Sequence, residues 1–168
     1  MNSAARAYIA TPARRWLALT FWVTLCLAIG FTSGFLFKPV PWYAALEKPF
    51  FNPPAWLFAP VWTALYVAMG VAASRIWRLS ASTERTYALR KFGVQLVLNA
   101  AWTPVFFGAH SLGGGLAVIV AMWFAIAIAI QGFHPLDKLA AWLLAPYLAW
   151  VSFATLLNVA LLTLNGKF

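Results

Sequence analysis

The chain is short of charge, and of acid most of all. Only 9% of its 168 residues are charged, where a soluble domain carries about 25%, so it could not cover a water-facing surface. Its three acids, Glu47, Glu84 and Asp137, all fall in segments expected to be loops. No Asp, Glu, Lys, Arg or His lies deep in any apolar run. Ion-coupled carriers and proton pumps hold such a group near the bilayer midplane, so a proton-driven antiporter is not expected. Paired carboxylates, a Ser/His/Asp set and a Cys/His set are all out of reach, which leaves little for hydrolytic catalysis. The two histidines, His110 and His134, stand apart without ligand spacing, so no metal site is expected. Cys26 is the single cysteine, which excludes an internal disulfide. Alternating strand patterns are missing too, which argues against a β-barrel. With no repeat of fixed period, an inverted-repeat transporter has no support.

What is present is apolar: 64% of residues are hydrophobic and the mean hydropathy is +0.81. A helix needs about 20 mainly apolar residues to cross the hydrocarbon core. The expected fold is an all-α integral membrane protein, one domain over residues 1–168. It is a bundle of five transmembrane helices at about 16–37, 55–77, 92–109, 112–133 and 139–164, with a first loop at about 38–54. The third span is the shortest and should begin a few residues earlier. Arg14 and Arg15 stand where a signal peptide could start, but Trp16 to Phe37 is longer than an h-region and no A-x-A site follows, so the first span is expected to be retained.

Nine of the twelve basic residues fall on the N-terminal side of these spans: Arg6, Arg14, Arg15, Arg75, Arg78, Arg85, Arg90, Lys91 and Lys138. Lys38, Lys48 and Lys167 fall on the other. Cytoplasmic loops carry the excess of Lys and Arg, which places the N-terminus in and the C-terminus out. The net charge of +9 is then accounted for by lipid headgroups, with no nucleic-acid partner. A bacterial cytoplasmic membrane is the expected location. Between the spans, Ser82 or Thr83 is expected to cap the helix that follows. Gly113, Gly114 and Gly115 are expected to serve a tight turn near His110, since no G-K-[ST] follows them.

Residues 42–66 read W-Y-A-A-L-E-K-P-F-F-N-P-P-A-W-L-F-A-P-V-W-T-A-L-Y. Proline stiffens the backbone and the rings supply large rigid surfaces, as in an ordered lid over a cavity. Inside the spans, polar and aromatic groups recur at helical spacing. Trp62 and Tyr66 are i and i+4; Asn99, Trp102 and Phe106 are i, i+3, i+7; Trp150, Ala154 and Asn158 are i, i+4, i+8, with Tyr147 one turn earlier. Asparagine is costly facing lipid, so Asn99 and Asn158 should point inward. These faces either pack as core, with the asparagines bonding between helices, or wall a pocket for a flat apolar ligand with a few polar substituents.

Three blocks carry a resemblance: W-Y-x-x-L-x-K-P-x-x-N-P-P-x-W-x-F-x-P-V-W-x-x-L-Y at 42–66, N-x-x-W-T-P-V-F-F-G at 99–108, and P-Y-L-A-W-x-x-F-A-T-x-L-N at 146–158. In order and content they resemble the tryptophan-rich sensory protein / translocator protein family, formerly called peripheral benzodiazepine receptors. The resemblance implies a five-helix bundle, commonly a homodimer, with its first loop folded over a pocket. It implies binding of porphyrins such as protoporphyrin IX and haem, with no covalently bound cofactor, and a role in tetrapyrrole sensing, sequestration or transport. Light-dependent porphyrin breakdown or photo-oxidative protection is the alternative, and Trp62 and Trp150 would then be the reacting side chains. The family's pocket carries over at Trp62, Asn99, Trp150 and Ala154, and its lid at Trp42 and Pro53. Tyr66, Trp102, Phe106, Tyr147 and Asn158 join the ligand-binding set through their spacing. Two departures stand out. The end of span five lacks the Tyr followed by Arg or Lys of the mammalian sterol motif, which leaves cholesterol specificity unsupported, while the resemblance still allows sterol-like lipids as partners beside porphyrins. Gly114 stands where animal members carry a pocket tryptophan, which implies a wider pocket or one that uses Trp123.

The charge split yields a test. A reporter fused after Phe168 should be active on the face opposite the arginine-rich loops, and one active only in the cytoplasm would overturn the orientation.

Overall fold

The computed structural model describes residues 11–36 and 41–166. The end of the first span at Phe37, the start of the loop with Lys38, and Arg6 and Lys167 lie outside the described residues. Every regular element among the described residues is helical. They are α1 (Pro12–Leu36), α2 (Pro41–Ala45), α3 (Ala55–Trp77), α4 (Thr83–Thr103) running into a π-helical turn (Pro104–Gly108), α5 (Leu112–Phe133), α6 (Lys138–Leu143) and α7 (Ala145–Asn165). Four stretches are long and apolar enough to cross a membrane: Pro12–Leu36, Ala55–Trp77, Leu112–Phe133 and Lys138–Asn165.

The ends follow from local chemistry. Ser82 caps α4, its side chain accepting from Arg85 N at 3.1 Å, as the sequence predicts. That puts the start of α4 well before residue 92, and Glu84 stands in its first turn rather than in a loop. Arg85, Arg90 and Lys91 in its early turns explain why this helix is missing from the four apolar stretches. Pro104 cannot donate, and the helix widens there: Ala109 N reaches back five residues to Pro104 O at 2.8 Å. The last expected span is broken at Leu144, two residues before Pro146. The glycine run is a correction. Gly113–Gly115 belong to the first turn of α5, capped by Ser111, while the turn itself is made by His110 with φ 51°.

α1 packs along α3 through missing side chains. A Cβ at Gly70 would stand 2.5 Å from Val23 Cα and 2.9 Å from Trp22 O, both α1 backbone. At the basic end Arg75 pairs with Asp137 at 2.8 Å, and Asp137 also caps α6 by accepting from Ala140 N. Arg85 closes the end of α3 by donating to the carbonyls of Trp77 and Leu79. The core runs between α3, α4, α5 and α7 around Met69, Phe92, Ile126, Phe133 and Tyr147. The outer face keeps Trp16, Phe21, Phe31, Phe124 and Trp142 exposed.

Gly70→Ala should therefore push α1 from α3 and cost about 1–3 kcal/mol, read as a lower melting temperature in detergent. Gly113→Ala, where an added Cβ meets nothing within 4 Å, should leave melting unchanged. Equal melting temperatures would contradict the close approach.

Candidate ligand site beneath the first loop

Asn99 is the centre of the polar interior. Its Oδ1 accepts from the Tyr66 hydroxyl at 2.8 Å and its Nδ2 donates to the Tyr147 oxygen at 2.9 Å. The Tyr147 hydroxyl donates in turn to Met122 Sδ at 3.3 Å. One amide thus joins α3, α4 and α7, and Met122 adds α5. Asn99, Tyr66 and Tyr147 are all buried. Tyr66 reaches this position because Gly30 has no side chain: a Cβ there would collide with the phenol ring. Trp62 stacks on Tyr66 at 5.5 Å and meets the Tyr147 ring edge-on at 6.2 Å. Trp62, Tyr66, Asn99 and Tyr147 therefore converge. Most of the Asn99 amide is taken up in holding helices together.

A second group lies at the lid end. Trp102 stacks on Phe106 at 4.9 Å, and Phe106 is buried with Leu157 and Leu161 of α7. Trp42 packs edge-on to Phe106 at 5.8 Å and stacks on His110 at 4.6 Å. Tyr43 meets Phe106 and Phe107, and Phe58 joins this cluster to Trp150 at 5.9 Å. Phe51 touches Phe153, the ring neighbour of Trp150. The loop thus lies against the π-helical turn and α7. It is internally held: the Tyr43 hydroxyl donates to Asn52 Oδ1 at 3.4 Å, and Asn52 Nδ2 donates to Pro53 O at 3.2 Å. Burial raises the Tyr43 pKa, which keeps the phenol a neutral donor. Of the sequence-predicted residues, Pro53 enters only as this carbonyl acceptor within the loop.

Asn158, buried on α7, donates Nδ2 to Ala154 O at 2.8 Å, a bond within its own helix. Its Oδ1 has no hydrogen-bond partner among the described residues, and neither do the buried indole nitrogens of Trp102 and Trp150. Buried polar groups are satisfied in nine cases of ten or more, so each exception calls for an explanation.

A Cβ at Gly114 would stand 2.7 Å from Ser111 Oγ and 2.9 Å from Val105 Cγ1, so the glycine serves close packing and leaves no added room. Trp123 donates Nε1 to Ser152 Oγ at 2.8 Å. With Val120, Ser152, Thr155 and Leu156 it lines an apolar outer groove of about 280 Å3 between α5 and α7, away from the inward set. Spacing alone missed Phe58, Phe107, Phe153 and Met122. Phe58 is one turn before Trp62, so helical periodicity could have added it.

The family model for TspO/MBR matches residues 22–164. The chain belongs to the TspO/MBR family. The Tryptophan-rich protein TspO of Chlorobaculum tepidum is 43% identical over 155 residues, covering 89% of this chain and 96% of that one. The Tryptophan-rich sensory protein of Cereibacter sphaeroides is 43% identical, covering 80% and 83%. The Translocator protein of Homo sapiens is 40% identical over 140 residues, covering 80% and 83%. With its apolar helices, this TspO/MBR member is a membrane protein.

Replacing Asn99 by Leu would strand the Tyr66 hydroxyl and remove one of the Tyr147 bonds. The expected loss is about 1–3 kcal/mol of stability, as for other stranded buried polar groups. Tyr66→Phe removes the same bond from the other side and strands the Asn99 Oδ1, so a similar loss of about 1–3 kcal/mol is expected. Thermal melting of both variants in one detergent checks this, and an unchanged Asn99→Leu would show the bridge to be idle.

Proposed function

We propose that this TspO/MBR protein crosses the membrane five times and binds a flat porphyrin-like ligand, protoporphyrin IX or haem, beneath its first loop, in tetrapyrrole sensing, sequestration or transport. For the span missing from the four apolar stretches, α4 supplies 21 residues and the π-helical turn five more, enough at 1.5 Å per residue for a core of about 30 Å. Its charged first turns stand at the arginine-rich end.

The observation that carries the ligand reading is that three of the buried groups without a hydrogen-bond partner among the described residues gather near the first loop, the others being on Trp22, Ser74, Arg85 and Gln95. Trp102 Nε1 and Trp150 Nε1 are donors, and Asn158 Oδ1 is an acceptor. Phe58 links Trp150 to the cluster that holds Trp102, and Leu157 and Leu161 of that cluster flank Asn158 on α7. Free-base protoporphyrin IX matches this inventory: an apolar face for the rings, carboxylates to accept from indole N–H, and pyrrole N–H to donate to an amide oxygen; haem would supply the first two. The rings of loop and bundle meet at 4.6 to 6.3 Å between centroids, so entry of a macrocycle parts them and the loop lifts.

Quenching of intrinsic fluorescence by protoporphyrin IX tests the reading. Ala154 sits one turn from Trp150 and one turn from Asn158. Ala154→Thr adds volume and a hydroxyl that bonds back one turn. The same helix already carries such bonds, from Ser152 to Leu148 O and from Thr155 to Val151 O, so the variant should fold and insert. Binding should weaken roughly five- to a hundredfold. The Trp62→Phe, Trp150→Phe double variant should weaken it as well; wild-type affinity in both would sink the assignment. A light- and oxygen-dependent product that vanishes in the double variant would move the reading to porphyrin degradation.

A further inference from the structure

One side chain joins the end of α7 to the first loop. Asn165 Oδ1 accepts from Glu47 N at 2.8 Å, and its Nδ2 donates to Glu47 O at 2.9 Å and to Leu161 O at 2.9 Å. The partners are 118 positions apart in the chain. The side-chain amide pairs with both polar groups of one loop residue, as a neighbouring strand would. The side chain of Glu47 plays no part in this pairing. The other holds described between loop and bundle are ring contacts, which have little directionality: Trp42 and Tyr43 against Phe106, and Phe51 against Phe153. Lys48 bonds inside the loop, to the carbonyls of Ala44 and Leu46. Asn165 adds the directional hold that rings cannot supply.

We propose that Asn165 is a positioning residue, a latch whose two-point grip on the Glu47 backbone sets how often the loop lifts and so how fast a planar ligand leaves the pocket beneath it. The consequence for release rests on the porphyrin reading above; the latch itself does not. Asparagine is the shortest side chain that offers an N–H donor and a carbonyl acceptor on separate atoms. Leucine matches it in size and offers neither. Glutamine keeps both groups on one more carbon.

The experiment uses the full chain in bicelles, with Asn165→Leu, Asn165→Gln and, as a control, Thr163→Ala. The control removes a bond to Ala160 O at the same end of α7, within the helix. Amide hydrogen exchange across residues 46–48 is measured without ligand, and protoporphyrin IX release is followed by its fluorescence. In Asn165→Leu the exchange should quicken and release should speed by about three- to thirtyfold, with association changed less. Asn165→Gln should recover part of both, and Thr163→Ala should match wild type. Unchanged exchange in Asn165→Leu overturns the latch. Faster exchange with unchanged release overturns its control of the ligand. If the wild-type protein takes up no porphyrin, the pocket reading falls, and the exchange measurement alone decides the latch.

Discussion

The hydrogen bonds of the Asn99 amide constrain the rest of the interior. An amide in apolar surroundings is unfavourable unless both of its ends are bonded, and here each end meets a phenol from another helix. Sliding or rotating α3, α4 or α7 by a fraction of a turn would strand at least one of the three groups. The register of the bundle is therefore set by polar geometry, while the aliphatic core around it tolerates small shifts. Indole placement follows from this. Trp62 stands where it does because it stacks on Tyr66 and leans on Tyr147, and Tyr66 fits because α1 offers Gly30.

Above that bridge the same residue types are left in the opposite state. Asn99 is bonded at both ends, while Asn158 is bonded only through its amino group and within its own helix. Trp123 has Ser152 as a partner, whereas Trp102 and Trp150 have none. The number of tryptophans says little about where a ligand would sit; the clustering of unpartnered N–H groups near the loop says more, since Trp22, packed against Trp77 and Phe92, also has a buried Nε1 without a partner among the described residues. A satisfied group acts in the fold, and an unsatisfied buried one has bonding capacity for something else.

Much of this was legible in the sequence, and the limits have physical causes. Strong caps and prolines marked their boundaries well: α3 opens after Pro54, Ser82 caps α4, and α5 begins beside Ser111. Hydropathy misplaced the start of α4, because Arg85, Arg90 and Lys91 lie on a helix that hydropathy alone reads as loop. The π-helical turn arises from one missing donor at Pro104, which leaves no periodic signature. α2 spans five residues, too few for any period to show. At the site, i/i+4 spacing correctly put Trp62 with Tyr66 on one face. It could not tell that Asn99 would be shared by two phenols, or that Trp123 would turn to an outer groove. Asn165 was invisible for a different reason: it pairs with a backbone, which has no residue identity to read.

The first loop shows how a segment can be ordered and still able to lift. Its shape is held from within, by the Tyr43 to Asn52 bond, the Asn52 N to Pro49 O turn and the Lys48 bonds to Ala44 and Leu46. Pro41, Pro49, Pro53 and Pro54 further restrict its backbone, lowering the entropy lost when it settles on the bundle. Its grip on the bundle is mostly aromatic, and such pairs contribute only about 0.5–1.5 kcal/mol each beyond the area they bury. They can part and re-form in slightly different positions without stranding a polar group. A loop stiff within itself and loosely held below moves as one piece. On the proposed reading it would keep its own bonds while its rings left Phe106 and Phe153, making the indole N–H groups beneath it reachable together.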